Sequence, residues 1–354
     1  MKKINSLESI RFYLALSIFL CHLDTVLVST EGKYIYESFF HNGNFAVTFF
    51  FVLSGFCMAL GYSERFSEIN KKGFYDFIKR RLRKIYPLYL ITMLLAMLCN
   101  IVMNFSPSGI LRNVAHYLLG ATMLQTLTVK YWGILNSVCW YISSIFVIYL
   151  VTPFIIRKMH SVKNHKKKLL KISVIAFGML IVLILAARLI LSKETWELTI
   201  YVSPFFRIFY YFIGLVLGYI RKLQPKSQGA YMGKLEGLLA IGVCIVYFMG
   251  MQFDLLNPYV SLLYLLVFGM FIYVLSYEEG IISKFLGNKV NIELGGLSME
   301  FFMLHYLLVH YGGMLVWNKF QPALGMEVLV SVLLFVITYV MVLLYKKISK
   351  FLWQ

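Results

Sequence analysis

The chain has 354 residues, of which 60% are hydrophobic and only 14% charged, with a formal net charge of +18. Soluble domains carry about a quarter charged residues, so this composition excludes a mostly water-covered surface and leaves no stretch for a sizeable soluble domain. The positive charge does not signal nucleic-acid binding, because the basic residues sit in short segments between apolar runs, the pattern of cytosolic loops in a membrane protein.

A spanning helix needs about 20 mostly apolar residues, and ten such runs follow one another. The first, Ile10–Val28, follows Lys2 and Lys3 as a signal peptide would, but no small-residue cleavage site closes it, so it reads as a retained helix. Next come Asn44–Tyr62, Pro87–Met103, Ile134–Ile156 and Ile172–Leu191. Phe205–Ile220 is the shortest, and reaches back to Tyr201 if Pro204 occupies its first turn. Leu235–Met251, Tyr259–Ser276, Leu297–Val316 and Met326–Tyr345 complete the set.

Of the 34 Lys and Arg residues, 26 fall on one side of this alternation. Five fall on the other (Lys33, Arg112, Lys130, Lys193, Lys319), and Arg11, Arg188 and Arg207 lie within helices. The basic side is therefore expected in the cytosol. The fold expected is all-α: one polytopic bundle of about ten helices over residues 1–354, both termini cytosolic, in the cell (plasma or inner) membrane. The longest external connection, 104–133, holds an amphipathic stretch, Leu111–Leu127, suited to the outer interface.

Ionisable residues inside spans are costly and therefore informative. Arg11 and His22 are eleven residues apart, about 16 Å of rise on nearly the same helical face. That face carries a cation near the cytosol and, deeper, an imidazole able to act as a general base; a bundle-packing histidine is the equal alternative. In the second helix, FFFVLSGF over Phe49–Phe56 places Ser54 and Gly55 mid-span. Close helix packing is the stronger reading of Gly55; the functional one is that it opens room beside His22 for a ligand arm.

Ahead of the third helix, Lys79–Pro87 reads KRRLRKIYP. It suits either a positive-inside anchor or a clamp for phosphates, since arginine forks match phosphate oxygens. The fourth helix brings Trp140 and Tyr141, an interfacial belt or a sugar-stacking platform, and then Ser143 and Ser144. Arg188 and Arg207 are expected to snorkel to the outer interface, with an acidic acceptor as the alternative partner. The ninth helix carries Glu300, His305 and His310.

All five cysteines (Cys21, Cys57, Cys99, Cys139, Cys244) lie in apolar stretches without metal spacing, as packing residues. A Walker A loop, a GxSxG elbow and an HExxH pair are missing from the sequence, which argues against an ATP pump, an elbow-type serine hydrolase and a zinc protease.

These residues resemble the acyltransferase family 3 membrane O-acyltransferases. The family's acidic residue, then Arg, then ten residues and His is matched by Glu8, Arg11 and His22, and its FFVLSGF by Phe50–Phe56. Its paired basic residues before a proline are matched by Arg81 and Lys84, with Arg80 and Arg83 beside them. Its penultimate-helix histidine run is similar to Met303-Leu304-His305. Departures are Ala46-Val47-Thr48 where Gly-Val-Asp is usual, and a fourth helix in which no Glu follows Trp140. The resemblance implies acyl transfer, most often of acetyl, from cytosolic acyl-coenzyme A to a hydroxyl of a surface polysaccharide or its lipid-linked precursor.

On that basis His22 is expected as base or acyl carrier, with Arg11 and Glu8 as helpers. Arg80, Arg81, Arg83, Lys84, Ser54 and Gly55 are expected to hold the donor, and Trp140, Tyr141 and His305 the acceptor. Acetyl-coenzyme A is a co-substrate, with no tightly bound cofactor or metal. Expected partners are the glycan acceptor, the lipid bilayer, and a second copy or glycan-assembly proteins, with no nucleic acid. The competing readings are a glycan or lipid-linked-sugar transporter or flippase, which shares the helix count and midplane polar residues, and a glycan polymerase, for which a large external loop is expected.

Overall fold

The computed structural model describes residues 4–352 apart from 67, 225–228, 254–255, 318–319 and 321; Lys319, one of the five outer cations, thus lies outside the described residues. The chain is a bundle of α-helices. Ten long ones, numbered here in chain order, are α1 (Asn5–Cys21), α2 (Gly43–Tyr62), α3 (Lys71–Met103), α4 (Cys139–Met159) and α5 (Lys166–Ile190), then α6 (Pro204–Leu223), α7 (Ala230–Gly250), α8 (Pro258–Leu275), α9 (Ser298–Trp317) and α10 (Leu324–Leu352). Among the described residues nine helices are long and apolar enough to cross a membrane alone. The tenth crossing, α6, qualifies only with the short helix Lys193–Val202, from which it is bent by 45°. Hydropathy undervalues α6 because its polar side chains, Arg207 and Arg221 among them, are buried in the bundle rather than presented to lipid.

Capping residues explain several helix starts. The side chains of Asn42, Asn70 and Asn257 accept from backbone N–H groups in the first turns of α2, α3 and α8. Pro204 and Pro258 occupy first-turn positions, where a missing N–H costs nothing. Pro204 is indeed in the first turn of α6, but the span does not reach back to Tyr201, which belongs to the short helix Lys193–Val202 before the bend.

Packing is centred on α2, which meets α6 most extensively and α1 and α8 besides. Small residues permit it. A Cβ on Gly55 would run into the Tyr211 carbonyl, one on Gly214 into the Val52 carbonyl and one on Gly218 into the Phe56 carbonyl. The backbones of α2 and α6 are thus nearly in contact, the close approach that small residues allow in membranes. By contrast α5, α7 and α10 lie outside, with 22%, 11% and 22% of their apolar windows buried, and their exposed Leu, Ile and Val side chains form the lipid-facing wall.

Both ends of the bundle's chain lie on one face, which is also the basic face. Gly295 packs against the backbone of Glu8 near the start of α1, and Lys346, near the end of α10, donates to the Gly296 carbonyl. On this face Glu64 gathers Lys163 and Lys222 (3.3 Å), tying together the segments after α2 and α4 and the last turn of α6. The Lys163 ammonium, with Lys222 beside it, holds the Glu64 carboxyl below the usual carboxylate range.

Three boundaries depart from expectation. The basic run Lys79–Lys84 does not precede the third span but lies within α3, which begins at Lys71 and continues through Pro87. Pro87 has no N–H to donate to the carbonyl four residues earlier, yet the helix continues through it. The fourth span starts at Cys139, not Ile134, because Leu135 adopts φ +59° and breaks the helical path. The first ends at Cys21, followed by a 3-10 turn, Leu23–Thr25. His22 is therefore the residue on which α1 stops, while the turn continues along α9, with Thr25 bonded to the Val309 carbonyl (3.3 Å).

Candidate active site

Three elements meet at the centre of the bundle: a cavity open to the basic face, a pair of histidines, and a pocket on the opposite face. The inner cavity, of about 250 Å3, lies among α1, α2, α3, α4 and α9. Its mouth carries Arg80, Arg81 and Lys84, and Glu8 and Arg11 line it from α1. Further in, its walls are Phe50, Ser54, Tyr141 and Phe302.

The helical phase of α3 sorts the basic cluster. At about 100° per residue, Arg80, Arg81 and Lys84 fall within one arc, and Arg83 falls beyond it. Correspondingly, the first three line the cavity and Arg83 is not among its lining residues. The Arg81 guanidinium lies among the rings of Tyr62 (4.9 Å), Phe77 (5.4 Å) and Tyr149 (5.2 Å). Its Nε is buried with no hydrogen-bond partner among the described residues. One terminal nitrogen donates to Met58 Sδ at 3.5 Å, a weak acceptor, so this cation held on aromatic faces still has N–H groups to offer an incoming anion. Arg11 instead is paired with Glu8 at 2.8 Å, an i, i+3 contact within α1, and reaches Cys57 Sγ at 3.5 Å.

His22 points into the bundle. Its Nδ1 lies 2.8 Å from the Ile18 carbonyl and 3.2 Å from Nε2 of His305, which is fully buried. Nδ1 of His305 lies 3.3 Å from the Phe301 carbonyl. A carbonyl oxygen can only accept, so both rings carry their proton on Nδ1. The assignment is self-consistent: His22 Nδ1–H is shared between Ile18 and the His305 Nε2 lone pair. What remains is Nε2 of His22, unprotonated and not engaged in either bond, which is the state a general base requires.

The pair lies between the two cavities. Phe302, in the inner wall, has its ring 6.1 Å from that of His305. Tyr306, one turn further along α9, stands edge-on to His22 at 5.2 Å and lines the outer pocket. That pocket, of about 590 Å3, is within the roughly 300–1,000 Å3 usual for small-ligand sites. Asn100 and Asn104 of α3, Arg112, Asn113 and His116 of the short helix Pro107–Ala121, and Lys130, Trp132 and Ser137 form its walls. Burial, with Arg112 alongside, pushes the His116 imidazole below its ordinary value.

Several sequence expectations change place. Gly55 does not open room for a ligand arm; it faces away from the inner cavity into the α2–α6 contact described above, because α6 needs that side of α2. Trp140 is not an exposed sugar platform: it is 5% exposed and packs on Tyr201 (4.8 Å) and Phe51 (6.3 Å). Tyr141 lines the inner cavity, its hydroxyl 3.2 Å from Ser54 Oγ. Arg188 is exposed and lies over the Trp196 ring at 5.2 Å, as an interfacial arginine should.

Arg207 does not snorkel. It is fully buried, donating to the Tyr201 carbonyl (2.7 Å), Thr48 (3.2 Å) and Asn44 (3.4 Å), with rings of Tyr210, Tyr201 and Phe51 around it. Charge-assisted bonds of about 1.5–3 kcal/mol each and desolvated cation–π contacts of about 2 kcal/mol can offset much of the burial cost. The outer pocket escaped the sequence reading altogether. Its one signal was the i, i+4 pair Arg112 and His116 on an amphipathic stretch, followed by Lys130 in a cation-poor half of the chain.

Residues 4–346 match the family model described as Acyltransferase domain. The chain belongs to the acyltransferase 3 family. Among curated proteins, acyltransferase MdmB from Streptomyces mycarofaciens is 34% identical over 97 residues, 27% of this chain and 23% of that protein. The match thus spans about a quarter of the relative's length. No solved structure matches the chain. The histidine pair lines neither cavity itself but packs on one lining side chain of each, Phe302 of the inner cavity and Tyr306 of the outer pocket.

Proposed function

We propose that the chain is a membrane O-acyltransferase that moves an acyl group, acetyl in the simplest case, from cytosolic acyl-coenzyme A to a hydroxyl of a surface polysaccharide or its lipid-linked precursor. The observation that carries the reading is the His22–His305 pair set between a cation-mouthed inner cavity and a polar outer pocket. Membership of the acyltransferase 3 family supports the reaction class.

In this mechanism Arg80, Arg81 and Lys84 hold the donor's phosphates at the cytosolic mouth. The thin thioester arm follows the inner cavity past Ser54 and Tyr141 towards the histidines. The acceptor hydroxyl enters from the outer pocket beside Tyr306. His22 Nε2 removes its proton as the oxygen attacks the acyl carbon, a C–O bond forms, the C–S bond breaks, and the thiolate leaves towards the cytosol. The imidazolium proton then passes to the thiolate or to solvent, restoring the base. Transfer through an acyl-imidazole on the same Nε2 balances equally, with the hydroxyl attacking second. His305, holding Nδ1 of His22, is the positioning residue in either route.

The test is acyl transfer from labelled acetyl-coenzyme A in membranes containing the chain, with mass spectrometry of surface glycans for the added acetyl mass. Transfer that survives His22→Ala at equal abundance would remove the catalytic assignment. Movement of a lipid-linked sugar across the bilayer with no ester formed would favour the flippase reading instead.

A further inference from the structure

The positive-inside bias leaves only five of the 34 Lys and Arg in the outer connections of this protein. Two of those five, Arg112 and Lys130, line a single pocket, and no carboxylate is among the pocket's lining residues. Orientation in the membrane does not explain cations on that side, so their convergence calls for a ligand. The remaining wall is what a sugar requires: the amides of Asn100 and Asn104, the hydroxyl of Ser137 and the indole of Trp132. Tyr306 joins this pocket to His22 at 5.2 Å between rings.

From this we infer that the outer pocket is the acceptor site and that it selects saccharides bearing an oxyanion, a carboxylate or a phosphate, near the hydroxyl that receives the acyl group. The inference rests on the acyltransferase reading and adds the acceptor's chemical class. Arg112 offers a planar fork for two oxygens, and Lys130 a point charge seated on the Tyr131 ring at 5.2 Å. Holding the anionic group between them fixes the sugar's register, so that one hydroxyl faces the histidine pair.

The experiment uses the full chain in nanodiscs of zwitterionic lipid. Four probes are titrated by thermophoresis: a glucuronosyl disaccharide, its neutral glucosyl counterpart, glucose 1-phosphate, and phosphatidylglycerol added to the disc. Acidic sugars should bind roughly tenfold tighter than the neutral one, a difference of one or two charge-assisted contacts. Arg112→Gln and Lys130→Gln should each erase most of that preference; Arg112→Lys should restore part of it. Comparison of the two acidic sugars tells carboxylate from phosphate. Equal affinity for charged and neutral sugars, or acidic binding indifferent to both variants, would overturn the inference. So would loss of sugar binding on adding phosphatidylglycerol that itself depends on Arg112 and Lys130, which would make the pocket a headgroup anchor. Binding needs no turnover, so the two readings fail separately: Arg112-dependent binding of acidic sugars without acetyl transfer would sink the enzyme assignment alone.

Discussion

The two cavities flanking the histidine pair are built by different means. The inner one is enclosed by α1, α2, α3, α4 and α9, and its charges include a compensated pair, Arg11 with Glu8 at 2.8 Å. The outer one draws on the ends of spans, one short helix and an irregular connection, and its cations face no lining carboxylate. A site formed by spans is held by packing against neighbouring helices and tolerates only ligands that fit a narrow slot. A site formed by connections can change with the ligand while the spans stay fixed. On the proposed mechanism, donor recognition would fall to the cavity built by spans and acceptor choice to the pocket built by connections.

The largest effect that would break this comparison is at the boundary between the cavities. His22→Gln should lower acyl transfer by about 10^2–10^4-fold, the usual contribution of a general base, at unchanged abundance. His305→Ala should lower it as well, through misorientation of His22, and His305→Asn should recover part of it. Transfer assays in membranes normalised to protein measure both, and near-native rates would detach the pair from the chemistry.

On the inner side, Arg81→Ala with Lys84→Ala should raise the donor KM by roughly tenfold, one or two lost charge-assisted contacts, with acceptor KM unmoved. Arg83→Ala should change donor KM by less than about twofold, since its helical phase carries it away from the cavity. Equal effects of the two changes would mean that the cluster acts as a general basic surface rather than a clamp.

A third test separates structure from function within α2. Gly55→Ala drives a methyl group into the Tyr211 carbonyl, and overpacking of this kind costs about 1–3 kcal/mol. It should lower the melting temperature and abundance while leaving donor KM per folded molecule unchanged, whereas Ser54→Ala, one residue away, should raise KM without destabilising. The smallest effect is expected at Glu64. Its carboxyl is held below the ordinary range by Lys163 and Lys222, so its contribution is present above the ordinary carboxylate pKa and fades as pH falls through the lowered one. As it is exposed, Glu64→Gln should cost less than about 1 kcal/mol, visible as a melting-temperature difference at neutral pH that closes in acid.

Much of this was legible in the sequence because membranes impose strong rules. Length and apolarity identified the spans, and the cation bias oriented them, even where α6 hid behind its interior polar residues. The i, i+3 pair of Glu8 and Arg11 and the opening of α6 at Pro204 are local contacts, settled within one turn. Other readings failed because they depended on a partner helix. Whether Gly55 makes room for a ligand or for a backbone is decided by α6, more than 150 residues away in the chain. Whether Arg207 reaches water or stays inside is decided by Asn44 and Thr48 of α2.

Sequence alone, then, determined the number, order and direction of the helices and the concentration of cations on one face, since apolar length and charge count are properties of the chain itself. Only the tertiary structure decided that α1 stops at His22 opposite His305, and that Arg112 and Lys130 converge beside Tyr306. Those are juxtapositions of segments far apart in the chain, fixed by how side chains fill the space between helices, and no local pattern encodes them.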